Sequence, residues 1–389
     1  MSRIEKVGVI GSGAMGAGIA QIAAMSGCDV IITDQSNESL VAARENISFS
    51  LNKFASRGKI TDDDVKAIEG RLHFTENMSA FEGCQLVIEA IVENLEVKQS
   101  VFSAVEKIVG DDCILASNTS SLSIASIAAA CQQPERVIGL HFFNPPALMP
   151  LVEVIPALQT RIGLASTLAR HMQSWGKLPV IAKDTPGFIV NRIARPFYGE
   201  AIRMLEEGIA DAATIDYAMT ELGGFRMGPF TLMDFIGHDV NYAVTETVFE
   251  AFFYDPRYKP SFTQKRMVEA GYLGRKKGKG FYNYNEGATK AEPVMDKALH
   301  EQILMRIVVL LINEAADALY LGIASRDDID TAMTKGVNYP KGLLRWADEI
   351  GIQSCVDQID ELQMFYREDR YRCSPQLRLM ARDQKTFYG

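Results

Sequence analysis

The chain has 389 residues, which is too long for one ordinary domain and predicts two or three. Its 47% hydrophobic and 23% charged residues are typical of a globular protein with a sizeable core. The net charge of −9 argues against general binding to nucleic acid or to a membrane surface, because both usually need an excess of basic residues. That charge is still compatible with a local basic patch for an anionic ligand.

The six cysteines have neither CxxC pairing nor zinc-site spacing, so we expect reduced, mostly buried thiols and no bound metal. The N-terminus begins a strand and lacks the design of a signal peptide. No apolar run approaches the ~18 residues that a membrane-spanning helix needs. These features predict a cytoplasmic protein with no membrane partner.

The N-terminal residues predict a βαβ unit. A buried strand over Lys6–Ile10 leads into a glycine-rich turn at 11–18, and an apolar stretch of helix formers follows at 19–25. A second short strand, Asp29–Thr33, ends at Asp34. Strand, turn, helix and strand in this order form one βαβ unit.

Alternating strands and helices continue to about residue 185. Long helices are expected at Asn37–Gly58 and Leu95–Val109. Further strands are expected at Gln85–Glu89, Cys113–Ser117, Val137–Leu140, Leu151–Ile155 and Pro179–Ala182. The alternation predicts a Rossmann-type α/β domain over 1–185 with a doubly wound sheet. A proline–glycine hinge at 184–187 marks the expected domain boundary.

After this hinge the apolar spacing becomes helical and the chain repeats itself. A shift of 114 residues, without gaps, aligns residues 192–237 with residues 306–351. The identical pairs include Arg192 and Arg306, Glu200 and Glu314, Asp216 and Asp330, Gly228 and Gly342, and Asp234 and Asp348. We therefore expect two all-α helical modules, a first copy over 186–284 and a second over 300–389, joined by a linker.

The glycine turn has the pattern of a dinucleotide-binding loop. Gly11, Gly13 and Gly16 form G-x-G-x-x-G directly after a strand and at the start of a helix. The first glycine permits the tight turn, the second lets backbone approach a pyrophosphate, and the third lets the helix pack on the strand. Ala14 and Met15 open the helix, whose free N–H groups and positive dipole end suit phosphate.

Asp34 selects between the two nicotinamide cofactors. Its carboxylate, at the end of the second strand, can accept hydrogen bonds from both ribose hydroxyls of the adenosine. It would repel a 2′-phosphate, and no arginine follows it in residues 35–37. The sequence therefore predicts NAD rather than NADP. The competing interpretation is a glycine turn followed by a surface aspartate.

Polar segments at 117–121 (SNTSS) and 141–146 (HFFNPP) follow two of the expected parallel strands. Ligands bind at this edge of open α/β sheets. Oxidation of an alcohol needs a base for the hydroxyl proton, and histidine titrates in the useful range. His141 and Glu153 are a candidate base and carboxylate partner. Alone, they could equally be a core histidine and a plain surface charge.

Six segments lie in order between Gly11 and Tyr282: GSGAMGAGIA, EAIVENLEVK, SNTSSLSI, HFFNPPALMPLVEVI, DTPGFIVNR and GKGFY. In them the chain resembles the 3-hydroxyacyl-CoA dehydrogenase family, which includes the 3-hydroxybutyryl-CoA dehydrogenases. The resemblance implies NAD-dependent oxidation of (S)-3-hydroxyacyl-CoA to 3-oxoacyl-CoA, or the reverse reduction, as in fatty-acid or aromatic-acid breakdown. Tandem C-terminal modules also occur in that family.

The resemblance also implies residue roles in the reaction. His141 matches the catalytic base and Glu153 its carboxylate partner. Ser120 matches the serine that hydrogen-bonds the 3-oxygen of the substrate, although SNTSS is also a good helix-capping sequence. Asn191 matches the asparagine that holds the substrate near the nicotinamide, and Asn144 is placed in the substrate site.

Further positions match contacts to the two nucleotides. Glu93, Lys98 and Asn118 match cofactor-contacting residues, and Lys276 matches a lysine near the cofactor. Ser50, Lys53 and Arg57 match the helix that binds coenzyme A. Either cation can meet a phosphate. Because Lys53 and Arg57 lie one helical turn apart, a solvated helix face is the rival interpretation.

The second copy of the helical module lacks one of these residues, because Asn191 aligns with Met305. We therefore expect the second copy to be structural. In relatives with a single copy this module commonly forms a homodimer interface, so a tandem copy could fill that interface within one chain. The hypothesis is a monomer with an internal pseudo-dimer, and the alternative is a homodimer.

Two rival functions keep the same cofactor. A sugar-acid (gulonate-like) dehydrogenase of the lambda-crystallin type shares the glycine turn and the histidine but needs no basic helix for coenzyme A. A non-catalytic NAD-binding structural protein would not need to retain four residues together: Ser120, His141, Glu153 and Asn191. The sequence leaves open the acyl-chain length and whether a terminal carboxylate is accepted. Arg195 and Arg203 could meet an acidic acyl tail or face solvent.

Overall fold

The computed structural model describes residues 4–289 and 291–389. The chain divides into two compact units, one ending at Phe188 and the other beginning at Ile189. Among the described residues, no helix is long and apolar enough to cross a membrane. All six cysteines lie in this described part and are free and buried, which confirms the prediction about the thiols.

The first unit is built on one eight-stranded sheet. Its strands are β1 Lys6–Ile10, β2 Asp29–Thr33, β3 Leu72–Thr75, β4 Leu86–Glu89, β5 Ile114–Ser117, β6 Val137–Phe142, β7 Leu151–Pro156 and β8 Leu178–Ile181. Their order in the sheet is β3-β2-β1-β4-β5-β6-β7-β8. All neighbouring pairs are parallel except β6 and β7, which are antiparallel.

Six helices accompany the sheet: α1 Ala14–Met25, α2 Asn37–Ser56, α3 Asp62–Glu69, α4 Leu95–Glu106, α5 Ile124–Ala128 and α6 Leu164–Ser174. The apolar face of α2 joins the core through Leu40, Ala43, Ile47 and Leu51, which recur at helical spacing. Side chains cap α2, α3, α4 and α5 at their N-termini. The start of α1, at Gly13, has no such cap among the described residues.

The predicted Rossmann-type fold is confirmed, and two details differ from the sequence prediction. The prediction missed β3, Leu72–Thr75, because a four-residue edge strand with an exposed histidine has little apolar periodicity. The strand predicted to end at Leu140 continues to Phe142. His141 therefore lies inside β6 rather than in the loop after it.

The second unit is helical. Its helices are α7 Val190–Ile193, α8 Arg195–Glu206, α9 Ala212–Tyr217, α10 Pro229–Ile236, α11 His238–Ala251, α12 Phe262–Glu269, α13 Lys297–Tyr320, α14 Arg326–Gly336, α15 Leu343–Ile350, α16 Ile352–Tyr366 and α17 Pro375–Arg382. The helices α9, α10 and α11 begin 114 residues before α14, α15 and α16. The repeat seen in the sequence is therefore a repeat of structure.

Buried ion pairs join the two copies reciprocally. Arg192 of the first copy lies 3.6 Å from Glu314 of the second, and Arg306 of the second lies 2.5 Å from Glu200 of the first. These residues are equivalent under the 114-residue shift. The phenolic hydroxyls repeat the pattern, since Tyr258 donates to Glu314 and Tyr371 donates to Glu200. Such reciprocal contacts are the signature of a two-fold interface, here formed within one chain.

Each reciprocal ion pair should contribute several times more to the free energy of unfolding than a surface ion pair does. Glu200→Ala would leave the buried Arg306 without its nearest carboxylate, so we expect it to destabilise the second unit by about 3 kcal/mol. The matched control is Glu269→Ala, which breaks an exposed pair with Arg266 and should cost about 0.5 kcal/mol. Urea unfolding in a Trp175→Phe background would follow the second unit through Trp346.

A Glu200→Ala variant that unfolds at the same urea concentration as Glu269→Ala would contradict this assignment. A large loss for Glu200→Ala together with a small one for Glu314→Ala would show that the two halves of the interface are not energetically equivalent.

Candidate active site

The glycine turn after β1 combines a tightly packed interior with an open outer side. Gly11 has a φ of +95°, and a Cβ placed there would lie 2.5 Å from the Ala90 carbonyl oxygen. A Cβ on Gly16 would lie 1.8 Å from the Gly11 carbonyl oxygen. By contrast, a Cβ on Gly13 would meet nothing within 4 Å in the described chain. This open side adjoins the uncapped N-terminus of α1 at Ala14, so backbone and helix dipole both fit a pyrophosphate.

Asp34 is fixed against this turn. Its Oδ2 accepts hydrogen bonds of 2.8 Å from the backbone N–H and the hydroxyl of Ser12, and its Oδ1 accepts one of 3.2 Å from the Ser36 N–H. Burial raises the pKa of Asp34, but these hydrogen bonds outweigh it, so the pKa lies below its usual range. An ionised, positioned carboxylate fits ribose hydroxyls. The sequence prediction missed Ser12, which occupies an unspecified position of the glycine motif.

A buried ion pair supports the ends of β4 and β5. The Lys98 ammonium lies 2.5 Å from Glu89 Oε1 and 3.3 Å from Glu93 Oε2, and its side chain is 1% exposed. The Ser117 hydroxyl donates to the other Glu89 oxygen at 2.7 Å. Lys98, a predicted cofactor contact, is therefore engaged within the first unit. Glu89 was not singled out from the sequence, since a glutamate ending a strand carries no local signal of burial.

Glu93 organises the SNTSS loop. Its Oε1 accepts hydrogen bonds from the Thr119 hydroxyl at 2.5 Å, the Ser120 N–H at 3.0 Å and the Ser121 N–H at 3.2 Å. Burial raises the pKa of Glu93, but the Lys98 ammonium and the hydrogen bonds together lower it by more. The pKa of Glu93 therefore lies below its usual range. The ionised carboxylate thus fixes the backbone that carries Ser120.

Asn118 connects the ends of two strands. Its Oδ1 accepts a hydrogen bond of 2.8 Å from the Phe142 N–H, which fixes the orientation of the side-chain amide. Asn118 follows β5 directly, and Phe142 ends β6. The predicted cofactor and substrate segments therefore meet at one edge of the sheet, as open α/β folds require.

The structure brings His141 and Glu153 together. They are directly opposite each other in the antiparallel β6–β7 pair, and His141 Nδ1 lies 2.6 Å from Glu153 Oε2. Both side chains are buried, and the Phe143 and Phe188 rings lie 4.5 and 5.8 Å from the imidazole. Because Nδ1–H donates a hydrogen bond to the carboxylate, Nε2 is left as the acceptor. Nε2 has no hydrogen-bond partner among the described residues.

The loop after His141 is held by a lysine that the sequence prediction did not consider. Lys177 donates hydrogen bonds to the carbonyl oxygens of Pro146 and Met149, at 2.5 and 2.8 Å. Burial lowers the pKa of Lys177 to about 8. Asn144, a predicted substrate contact, is exposed in this loop.

The predicted coenzyme A residues share one side of α2. Ser50 is half-buried, whereas Lys53 and Arg57 are exposed at the C-terminal end of the helix. Neither cation pairs with a carboxylate of the described residues. Both charges are therefore available to an anionic ligand.

Two predicted site residues belong to the second unit. Asn191 lies in α7, and its carbonyl oxygen accepts a hydrogen bond of 2.8 Å from Arg195 Nε. Lys276 is exposed and forms an ion pair of 2.6 Å with Asp239. Met305, the counterpart of Asn191, lies half-buried in α13.

Comparison with known proteins identifies the class. Residues 6–185 match the family described as 3-hydroxyacyl-CoA dehydrogenase, NAD binding domain. Residues 187–284 and 303–386 each match the C-terminal domain of 3-hydroxyacyl-CoA dehydrogenase. The chain is thus an NAD-dependent oxidoreductase, which confirms the predicted cofactor. It belongs to the 3-hydroxyacyl-CoA dehydrogenase family, as the sequence motifs predicted.

Individual relatives agree with this assignment. The chain is 38% identical to the 3-hydroxyadipyl-CoA dehydrogenase of Escherichia coli over 98% of both chains. It is 45% identical to a probable 3-hydroxybutyryl-CoA dehydrogenase of Deinococcus radiodurans over 72% of this chain and all of that protein. The crystal structure of an Escherichia coli 3-hydroxybutyryl-CoA dehydrogenase superposes with a TM-score of 0.92 and 37% identity, covering 98% of both chains.

The position of Asp34 generates a test of cofactor choice. Asp34→Asn keeps the shape of the side chain but removes its charge, so NADH should bind about 10-fold more weakly or worse. Discrimination against NADPH should fall, because the repulsion of its 2′-phosphate is lost. Fluorescence titration with both nucleotides measures the two affinities. Asp63→Asn, on the exposed side of α3, is the control, and an unchanged NADH-to-NADPH ratio in Asp34→Asn would contradict the role.

Proposed function

We propose that the chain oxidises (S)-3-hydroxyacyl-CoA to 3-oxoacyl-CoA, or catalyses the reverse reduction, with His141 as the base. The observation that supports this most strongly is the buried His141–Glu153 pair at the edge of the sheet where β5 and β6 end. In this pair Glu153 holds the Nδ1–H of the imidazole, which leaves Nε2 as the nitrogen that can accept a proton.

The proton transfer follows from this geometry. His141 Nε2 takes the proton of the 3-hydroxyl as hydride leaves the same carbon, and bound NAD supplies the hydride acceptor. The imidazolium that forms keeps its Nδ1–H on Glu153, whose negative charge stabilises it. Ser120 would hold the 3-oxygen, with its backbone fixed by Glu93. Asn191 and Asn144 are proposed to orient the substrate, as the family resemblance implies.

The cofactor contacts are proposed on similar grounds. Gly11, Gly13 and Gly16 with Ala14 and Met15 would cradle the pyrophosphate, and Asp34 would bind the adenosine ribose. The resemblance places Asn118, Glu93, Lys98 and Lys276 around the rest of NAD. The geometry supports an indirect role for Lys98 in cofactor binding, in which its buried ammonium positions Glu93.

The second helical copy is proposed to be structural. Its reciprocal ion pairs with the first copy form, within one chain, the kind of interface that a symmetric dimer would form between two chains. The proposal is therefore a monomer with an internal pseudo-dimer, and a homodimer is the alternative. A cytoplasmic location, suggested by free cysteines, stays a prediction.

The first test follows NADH absorbance during reduction of acetoacetyl-CoA. The parent should oxidise NADH, and His141→Ala should lose ~10²-fold or more in kcat, because removal of a general base costs that much. His73→Ala, at an exposed position of the edge strand β3, is the matched control. Glu153→Gln should also lower kcat with little change in NADH affinity. Full activity in His141→Ala would rule out the proposed base.

A second test concerns the basic end of α2 and separates the rival substrates. Lys53→Gln with Arg57→Gln should raise KM for acetoacetyl-CoA about 10-fold and leave kcat nearly unchanged, because two charge-assisted phosphate contacts are lost. Lys66→Gln, on the exposed face of α3, is the control. An unchanged KM would favour a solvated helix face. Turnover of a sugar acid without turnover of any acyl-CoA would favour the lambda-crystallin-type alternative.

A further inference from the structure

Arg195 is a buried cation without a buried counter-ion. Five arginines are buried in the described part of the chain. Four of them pair with carboxylates: Arg136, Arg192, Arg306 and Arg370. Arg195, at 6% exposure, instead donates to two neutral acceptors, the Asn191 carbonyl oxygen at 2.8 Å and the Thr245 hydroxyl at 3.1 Å. A guanidinium has five N–H donors, so three are left without an acceptor among the described residues.

The surroundings of Arg195 hold it rigidly without neutralising it. Gln264 donates to the Thr245 hydroxyl at 3.1 Å and to the Asn241 side-chain oxygen at 2.7 Å, and all three residues are buried. The Tyr198 ring lies 5.1 Å from the guanidinium carbon. Burial lowers the pKa of Arg195, which reflects the cost of burying a charge that no carboxylate offsets.

The second copy shows that the helical module does not need this polar cluster. At the positions 114 residues after Arg195, Asn241 and Thr245 the second copy has Val309, Cys355 and Ile359, all fully buried. The two copies share the same order of helices. Since one copy packs apolar side chains where the other buries a polar network, the fold alone does not explain the arginine.

A facing tyrosine changes in step with the arginine. Tyr339 packs against Phe197, two residues after Arg195, with ring centroids 5.7 Å apart, and its hydroxyl is buried with no hydrogen-bond partner among the described residues. Its equivalent in the first copy is Phe225. The aromatic residue is therefore a tyrosine where the other copy has Arg195, and a phenylalanine where the other copy has Val309. A guanidinium without a carboxylate partner and a hydroxyl without a hydrogen-bond partner together match an anion that accepts from both.

We infer that Arg195 binds a carboxylate at the far end of the acyl chain, so that the preferred substrates are 3-hydroxyacyl-CoA thioesters of dicarboxylic acids. The inference rests on the proposed function, in which Asn191 holds the substrate near its 3-carbon. Arg195 lies four residues after Asn191, and its Nε donates a hydrogen bond of 2.8 Å to the Asn191 carbonyl oxygen, so the guanidinium lies next to that residue. Three carbon–carbon bonds of about 1.5 Å each separate the 3-carbon of a six-carbon chain from its terminal carboxylate. A short dicarboxylic chain held at Asn191 would therefore bring its terminal carboxylate within reach of Arg195.

The test compares two substrates that differ only in the terminal group, 3-hydroxyadipyl-CoA and 3-hydroxyhexanoyl-CoA, by NADH formation. The parent should prefer the carboxylated substrate by at least about 10-fold in kcat/KM. Arg195→Leu should lower kcat/KM for 3-hydroxyadipyl-CoA about 10²-fold and leave that for 3-hydroxyhexanoyl-CoA within about threefold. Arg195→Lys should recover part of the loss, since it keeps the charge but not the two-pronged geometry.

Tyr339→Phe is the gentler variant, because the first copy already carries phenylalanine at the equivalent position. It should raise KM several-fold for the carboxylated substrate alone. Arg203→Leu is the matched control in the same helix, because Arg203 already has the Lys259 carbonyl and Glu200 as partners.

Three results would overturn the inference. They are a parent with no preference for the carboxylated substrate, equal losses on both substrates in Arg195→Leu, and no loss on either substrate in that variant. Equal losses would make Arg195 a positioning residue for Asn191. Reduction of acetoacetyl-CoA by the parent separates this failure from failure of the proposed function, because an enzyme that turns over acetoacetyl-CoA keeps its assigned reaction whatever Arg195 does.

Discussion

A reversal of strand direction sets the chemistry of the first unit. Six strands, β1 to β6, run parallel, and β7 turns back against β6 after the loop at 143–150, so that residues of these two consecutive strands face each other directly. His141 and Glu153 occupy one such pair. In an antiparallel pair, opposite side chains lie on the same face of the sheet and within contact distance. A parallel β7 would have needed a crossover and would have placed Glu153 in a different register.

The loops at this edge depend on ion-paired carboxylates rather than on apolar packing. Glu89 and Glu93 share one buried ammonium, that of Lys98, and each uses its remaining oxygen to hold neighbouring backbone or hydroxyl groups. A buried charge is tolerable only when it is paired and hydrogen-bonded, and this condition is met for Glu89 and Lys98, whose side chains are both 1% exposed. Several hydrogen bonds therefore fix the position of the loop at 117–121. A fixed loop suits Ser120, which is proposed to contact the reacting oxygen.

Sequence reasoning reached the parts of the site that have local signatures. The glycine triplet and Asp34 follow a strand and precede a helix, and that order alone predicts a dinucleotide site. The contact between His141 and Glu153 could only be proposed, because a spacing of twelve residues fits several registers. Strand β3, Ser12, Glu89 and Lys177 were missed, since burial and long-range pairing decide their roles. The polarity of Thr245 and Gln264 likewise gains meaning only when Arg195 is seen beside them.

The tandem helical module removes a restriction that governs assemblies of identical chains. In a symmetric dimer every substitution is made twice, so a residue that improves one half must be tolerated by the other. Here the two halves are encoded separately, and reciprocal bonds such as Arg192–Glu314 and Arg306–Glu200 preserve the pairing while other positions diverge. One half has kept Asn191 and Arg195, and the other has Met305 and Val309. Two copies within one chain thus permit a division of labour in which one half can specialise in recognition while the other serves packing alone.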